Sequence, residues 1–436
     1  MINEYITKDK YNSFLENLAD VLDLTETQLK QAKDSYEAVG RYLLSDRSPI
    51  AKYNPKVYPQ GSFRLGTVVK PIADEDNFDV DVVCLLENWT DGTSQKQLKE
   101  AVGDALKADS NYERMLRKKE GRRCWTLQYA DDRKFHMDVL PATRDDFEWL
   151  VQAGVNSELA KHAIEITDKE CETYEVITNE GWSKSNPVGY GNWFIDQMKV
   201  QFTEAKRRKA ERKSVSIESI ADFEVKTPLQ RAVQILKRHR DFMFGDDVDR
   251  PISIIITTLA ARAYANEDTL YDALSNLLEN MPSYIEGEKG NRKVLSPVNP
   301  EENFADKWED YPQREENFYE WLDKAKEDFV EIFNINGFHK SVDNLREAFD
   351  ERLVNQALQN SGLENFVEKR SLLRQLNERL FSSVTYKQEP YWKLDPSKYV
   401  KISARYKQNK SWHSLVSKNP LPKGVDIRFT AHTNVK

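Results

Sequence analysis

The sequence predicts an α+β protein, a mixed sheet with flanking helices followed by an α-helical lobe. Three observations point there. Short stretches of alternating polarity crowd the first third, and amphipathic helical periodicity takes over from Thr227. A chain of 436 residues that is 39% hydrophobic and 31% charged is long enough for two or three packed units, too polar for a membrane protein and too aromatic for a disordered one.

The elements follow in order. Thr25 with Gln28 forms a capping box for a helix running to Leu44. Strands are expected over 57–60, over 78–86, in "RCWTLQYA" from Arg123 and in "KFHMDVLPA" from Lys134, with a helix over 95–106 between the second and third. In "TPLQRAVQILKRHRDFMF", Thr227 is an N-cap, Pro228 takes the first helical position, and Leu229, Ala232, Val233 and Leu236 make one apolar stripe. "PISIIITTLAARAY" is apolar nearly all round and reads as a core helix. Further helices are expected over 270–278, 313–333 and 342–358. Near the end Val425, Ile427, Phe429 and Ala431 alternate with polar residues. That strand either pairs with "YVKISARY" or opens a further domain, because a lone edge is a pairing liability. The expected division is 1–225, 226–385 and a strand-containing tail over 386–436.

Several classes are excluded. No apolar run approaches the roughly 18 residues of a spanning helix, and "MINEYITKDKYNSF" lacks the apolar core of a signal peptide. Cys84, Cys124 and Cys171 stand far apart with no CxxC pair, so a reducing cytoplasm is expected. A net charge of −8 argues against gripping a nucleic-acid backbone. The basic run Lys199–Lys213 reads as a solvated helix face, with a phosphate- or RNA-facing patch as the alternative. The six histidines show no HxxxH or HxH spacing for zinc.

The chemistry concentrates in "YPQGSFRLGTVVKPIADEDNFDVDVV", Tyr58–Val83. Residues i and i+2 of a strand share a face, so Asp79 and Asp81 point together while Phe78, Val80 and Val82 enter a core. Paired carboxylates raise one another's pKa unless a cation lies between them, and hard oxygens on a rigid strand suit Mg²⁺. Asp138 alternates with Met137 and Val139 on a second strand. Three aspartates on adjacent strands can hold two metal ions about 3.5–4 Å apart for in-line phosphoryl transfer. The Gly61-Ser62 turn lets backbone approach a ligand closely and offers N–H groups and a hydroxyl to a polyphosphate; Arg64 and Lys70 add positive charge. His136 shares the Asp138 face and reads as a locally satisfied strand histidine. Trp182, Tyr190, Trp193 and Phe194 read as packing rather than base stacking, and Cys84 as a small core residue.

This pattern resembles the DNA polymerase β-like nucleotidyltransferases and, within them, the bacterial CD-NTases, relatives of animal cyclic GMP-AMP synthase and oligoadenylate synthetase. "SNPVGYGNWF" from Ser185, "KTPLQRAVQILKRHRD" from Lys226, "PISIIITTLAA" from Pro251 and "NPEENFADKW" from Asn299 agree with it over residues 40–310. The resemblance implies a polymerase β-like core with the active site in the cleft beside the helical lobe. It implies two Mg²⁺ (Mn²⁺ as substitute) on Asp79, Asp81 and Asp138, and a triphosphate at Ser62 flanked by Gln60 and Gly61. Lys237 and Ser253 are the matching helix-borne contacts, with Arg238 competing for the lysine's role. Substrates would be NTPs (ATP, with GTP or a pyrimidine NTP), the product a cyclic di- or trinucleotide, and the reader of that product an effector in anti-phage (CBASS) signalling. No DNA activator is implied, because no Cys/His cluster stands where the animal sensor carries zinc; a cytoplasmic monomer is expected. The end of the chain resembles the opening strand of a sensor domain. Two rivals stay open: a nucleotidyltransferase that modifies tRNA or protein, and a non-catalytic nucleotide sensor.

Overall fold

The computed structural model describes residues 7–71, 77–89, 92–129, 134–178, 180–219 and 224–364, and the strand backbone of 400–408, 411–414 and 427–433. The chain forms two compact units, 1–367 and 368–436.

In the first unit, α1 (Lys8–Asp20) and α2 (Glu26–Leu44) precede β1 (Pro55–Pro59), the short α3 (Gly61–Leu65) and β2 (Phe78–Leu86). Then come α4 (Gln95–Lys107), β3 (Trp125–Tyr129), β4 (Phe135–Arg144), β5 (Ile164–Ile166) and β6 (Ser183–Ser185). The sheet runs β1-β2-β4-β5-β6, with β3 beside the first half of β4 on the edge that β5 takes further along. Only β2 and β4 are parallel; the other pairs are antiparallel, so the sheet is mixed. One face buries Phe78, Val80, Val82, Phe135, Met137 and Val139 beneath α2 and α4, including Trp182 and Cys84. The capping box at Thr25 forms as the sequence predicts, and Ser94 with Gln97 makes a second one for α4.

Helices α5 (Pro187–Gln197) and α6 (Lys199–Lys213) lead to the helical part: α7 (Pro228–Phe244), α8 (Ser253–Ala263), α9 (Leu270–Asn280) and α10 (Pro312–Lys326). The predicted stripe of α7 is buried against Ile255, Ile256 and Leu259 of α8 and Leu270, Leu274 and Leu277 of α9. A π turn at Glu327–Glu331 follows α10, where the sequence predicts unbroken helix to 333. Tyr190 and Phe194 are core residues, and Trp193 packs against that core. Part of the charge on α6 is paired: Arg207 bonds Glu204 and Glu211 within the helix, and Lys213 lies 2.5 Å from Glu224 beyond it. The basic run is therefore an exposed helix face whose charge is paired in part.

Two contacts were not predictable from local pattern. Helix α1, within the expected 1–225 division, inserts Tyr11, Phe14, Leu15 and Leu18 into the helical core, where Tyr11 Oη donates to Phe329 O at 3.0 Å. And α7 lashes down the segment after α3. Gln230, Gln234 and Lys237 donate to the carbonyls of Leu65, Val68 and Thr67 at 2.9, 2.6 and 2.9 Å, and Arg238 to that of Lys70. Lys226, just before α7, donates to Gly66 O at 2.8 Å. Each bond satisfies a backbone acceptor that no strand or helix ladder serves.

In the second unit, the antiparallel strands β8 (Ser411–Ser414) and β9 (Ile427–Thr433) flank β7 (Val400–Gln408), with Ile427 opposite Tyr406 and Thr433 opposite Val400. The terminal strand thus pairs with "YVKISARY". Val425 and the 385/386 boundary lie outside the described residues.

Candidate active site

A cleft of about 870 Å³ opens over the β2 and β4 face opposite the α2/α4 core, within the upper range for ligand sites. Gly61, Ser62, Asp79, Asp81, Lys237 and Ser253 line it, and so do His136 and Arg238. Asp79, Asp81, Val83 and Leu85 alternate onto one face of β2. Its far half is apolar: Val83 and Leu85 pack with Leu140, Ala142, Ile164 and Ile166. Only the end nearest the cleft is left acidic.

Register decides which acids meet. Asp81 stands beside Asp138 across the parallel β2–β4 pair, and Asp79 beside His136. Neighbouring strands lie about 4.8 Å apart, so the Asp81 and Asp138 carboxylates share one patch. Burial, then the charges of Asp138 and Asp79, push Asp81 up to about 6. Asp79, at the open end of β2, is raised by desolvation and then by Asp138. His136 is satisfied by Asn77 Nδ2 at 3.1 Å from Nε2, with Asp79 Oδ1 3.8 Å from Nδ1. Among the described residues no three Asp, Glu, His or Cys side chains already stand in ligand geometry. The donor set fits a hard divalent cation all the same: carboxylate oxygens on rigid strands, with uncompensated negative charge, which side-chain rotation can converge.

The Ser62 turn is pinned to the same level. Pro59 pairs with Val82 in the β1–β2 ladder, and Gln60 N–H donates to Asp81 O at 2.8 Å. Gln60 is the N-cap of α3, and its side chain is not part of the cleft lining. Gly61 has φ +57°, and a Cβ there would lie 2.9 Å from Asp81 Oδ2. Only glycine lets turn and acid approach so closely. On the other side of α3, Arg64 Nη2 donates to Asn192 Oδ1 at 3.1 Å, and a Cβ on Gly191 would fall 2.2 Å from Arg64 Nε. Gly191, the second glycine of "GYGNW", leaves room for the Arg64 side chain behind the serine turn.

Lys237 and Ser253 arrive from the helical side. Lys237 is 9% exposed, and burial, then Arg240, holds its ammonium down at about 8. Ser253 opens α8, and its Oγ accepts from Arg240 Nη2 at 3.1 Å. Arg238 also faces the cleft, but its Nε and Nη1 are buried without partners. Asp138 sits on the acidic patch, outside the cleft lining itself.

Comparison with known proteins places this architecture. Residues 7–159 match the Second Messenger Oligonucleotide or Dinucleotide Synthetase domain family. A c-di-GMP synthase of Roseivirga ehrenbergii is 30% identical over 337 residues, 76% of this chain and 82% of that one. The chain belongs to the bacterial CD-NTase family. A second relative of this CD-NTase, the cyclic dinucleotide synthase CdnG of Bradyrhizobium diazoefficiens, is 25% identical over 69% of this chain and 70% of its own. The structure of CdnG in complex with GTP superposes with a TM-score of 0.61 at 20% identity, over 80% of this chain and 98% of that one. The fold is that of polymerase β-like nucleotidyltransferases with a helical lobe. Cyclic oligonucleotide synthesis by nucleotidyl transfer is the CD-NTase's reaction class.

Sequence reasoning missed three partners of the site: Thr126, which bonds Asp138; Arg240, which bonds Ser253; and the Arg64–Gly191 contact. The first two become visible only when the pairing of β3 with β4 and the approach of α7 to α8 are known. For the third, the glycines of "GYGNW" were the available signal.

Proposed function

We propose that the chain joins nucleoside triphosphates, GTP among them, into a cyclic dinucleotide with release of pyrophosphate. The observation that supports this most is the Asp81–Asp138 register pair, with the Ser62 turn tied by one hydrogen bond to the Asp81 backbone. The roles proposed for Asp79, Asp81 and Asp138 are to hold divalent cations, Mg²⁺ or Mn²⁺. Such ions, when bound, neutralise phosphate charge and make an acceptor hydroxyl more acidic. Ser62 with the first amides of α3, Lys237 and Ser253 orient the triphosphate so that its α-phosphorus faces the acceptor. The acceptor hydroxyl loses its proton, its oxygen bonds to the α-phosphorus, and the bond to pyrophosphate breaks. A second such step within the linear intermediate closes the ring. Alignment and charge neutralisation supply the rate, since the phosphoryl centre needs no covalent help from the protein. The c-di-GMP synthase relative and the GTP bound in the CdnG structure motivate a guanine-containing ring, and an effector that reads it in anti-phage signalling is its proposed partner.

The test is incubation with four labelled NTPs and Mg²⁺, then phosphatase. The reading predicts a small resistant product containing GMP. Label on RNA or protein would instead support the macromolecule-modifying alternative, and tight NTP binding without pyrophosphate release the sensor.

Lys237 adds a pH dependence. An anion favours its protonated form, so affinity for a non-hydrolysable GTP analogue, measured calorimetrically without metal, is expected to weaken as pH rises through about 8. Lys237→Met should bind more weakly and lose that dependence; an unchanged profile would remove Lys237 from the phosphate site. Without nucleotide the sign is opposite. Between about 8 and the unfolded lysine value near 10.4 the unfolded chain holds more protons, so stability rises with pH.

A further inference from the structure

Three side chains from three strands form one row across the acidic face: Asp81 on β2, Asp138 on β4 and Thr126 on β3, each directly beside the next. Thr126 Oγ1 donates to Asp138 Oδ1 at 2.5 Å, the short distance of a charge-assisted O–H···O⁻ bond. Thr126 is 5% exposed, so little water competes for that hydroxyl. Its neighbours Trp125, Leu127 and Tyr129 all turn to the opposite, apolar face, so strand packing alone does not account for a hydroxyl here.

We infer that Thr126 is a positioning residue for Asp138, setting its carboxylate so that the oxygen left free can share a divalent cation with Asp81. The inference rests on the proposed metal-holding role of the three aspartates. Its physical content is rotational. The terminal torsion of an aspartate is broad, and repulsion from Asp81 favours turning Asp138 away from the position in which both acids meet one ion. A hydroxyl fixed on the neighbouring strand holds one oxygen on the side away from Asp81. The other then remains for the ion, with the cost of ordering met before it arrives. Groups that orient metal ligands in this way typically change metal affinity or activity by about 10–100-fold when removed.

Thr126→Val keeps the shape and β-branching and removes only the donor; Thr126→Ser keeps the donor and removes the methyl. Mn²⁺ binding, followed by the electron paramagnetic resonance of free ion, is compared among parent, both variants and Asp138→Ala, with melting temperature alongside. The expected result is an Mn²⁺ dissociation constant raised about tenfold or more in Thr126→Val, parent-like in Thr126→Ser, with melting temperatures close to parent. In turnover, Thr126→Val should lower kcat and raise the half-saturating Mg²⁺ while leaving the KM for GTP nearly unchanged. If Thr126→Val binds Mn²⁺ like the parent while Asp138→Ala does not, Thr126 has no positioning role and the proposed site stands. If Thr126→Ser fails as Thr126→Val does, the hydroxyl alone does not hold the site, and the positioning role assigned to it is overturned. If Asp138→Ala also binds as parent, the metal assignment itself fails and the inference with it.

Discussion

Replacing Asp79 and Asp81 together by alanine is expected to reduce cyclic product by at least about 10³-fold. A metal-assisted phosphoryl transfer draws several kcal/mol from the ions, and each 1.36 kcal/mol is a factor of ten, so losing about 4 kcal/mol suffices. The same change should leave the fold intact. The Asp79 carboxylate is 72% exposed, and the core side chains of β2 are its neighbours Phe78, Val80 and Val82 on the other face. It also removes the Asp79 charge that contributes to raising Asp81, and the repulsion that each of the two makes with Asp138. The expected pairing is therefore a dead enzyme with an equal or higher melting temperature, read by product assay and calorimetry. A variant that keeps synthesising cyclic product would refute the metal-holding role, and one that unfolds would show that these carboxylates serve structure.

Gly61→Ala is expected to be nearly as damaging to turnover through one methyl group. Alanine at φ +57° costs roughly 1–2 kcal/mol of backbone strain, and its Cβ would meet Asp81 Oδ2 at 2.9 Å. Either Asp81 turns away or the Ser62 turn lifts off β2. Both displace a ligand-holding group by a distance at which about 10² in rate is lost. Strain alone is separated by Gly154→Ala. That glycine also has positive φ, +91°, but nothing lies within 4 Å of its added Cβ. Similar falls in melting temperature with activity lost only at Gly61 would establish that the turn and the acid must touch. Equal activities in the two variants would show that the close approach is incidental.

Much of this site was legible because a strand has period two. The alternation in "FDVDVV" and "KFHMDVL" put Phe78, Val80, Met137 and Val139 in the core and left Asp79, Asp81 and Asp138 on the other face. Capping chemistry placed α2 and α7 by the same local logic. What stayed hidden depends on pairings remote in sequence. Nothing near Thr126 says that β3 lies beside β4 in the register that sets it against Asp138. Nothing near Tyr11 says that α1 leaves its neighbours for the helical core. The three-residue strands β5 and β6 are too short to show a period, and they were not expected. Gln230 and Gln234 read only as the polar side of an amphipathic helix; their role in tying down residues 65–68 exists only once α7 lies across that segment.

The most direct measurement is a crystal structure with a non-hydrolysable GTP analogue and Mn²⁺, with the ions located by anomalous scattering. The account predicts Mn²⁺ peaks held between Asp79, Asp81 and Asp138, with the triphosphate against Ser62 and Lys237. A triphosphate bound in the cleft with no ion on those three carboxylates would contradict it.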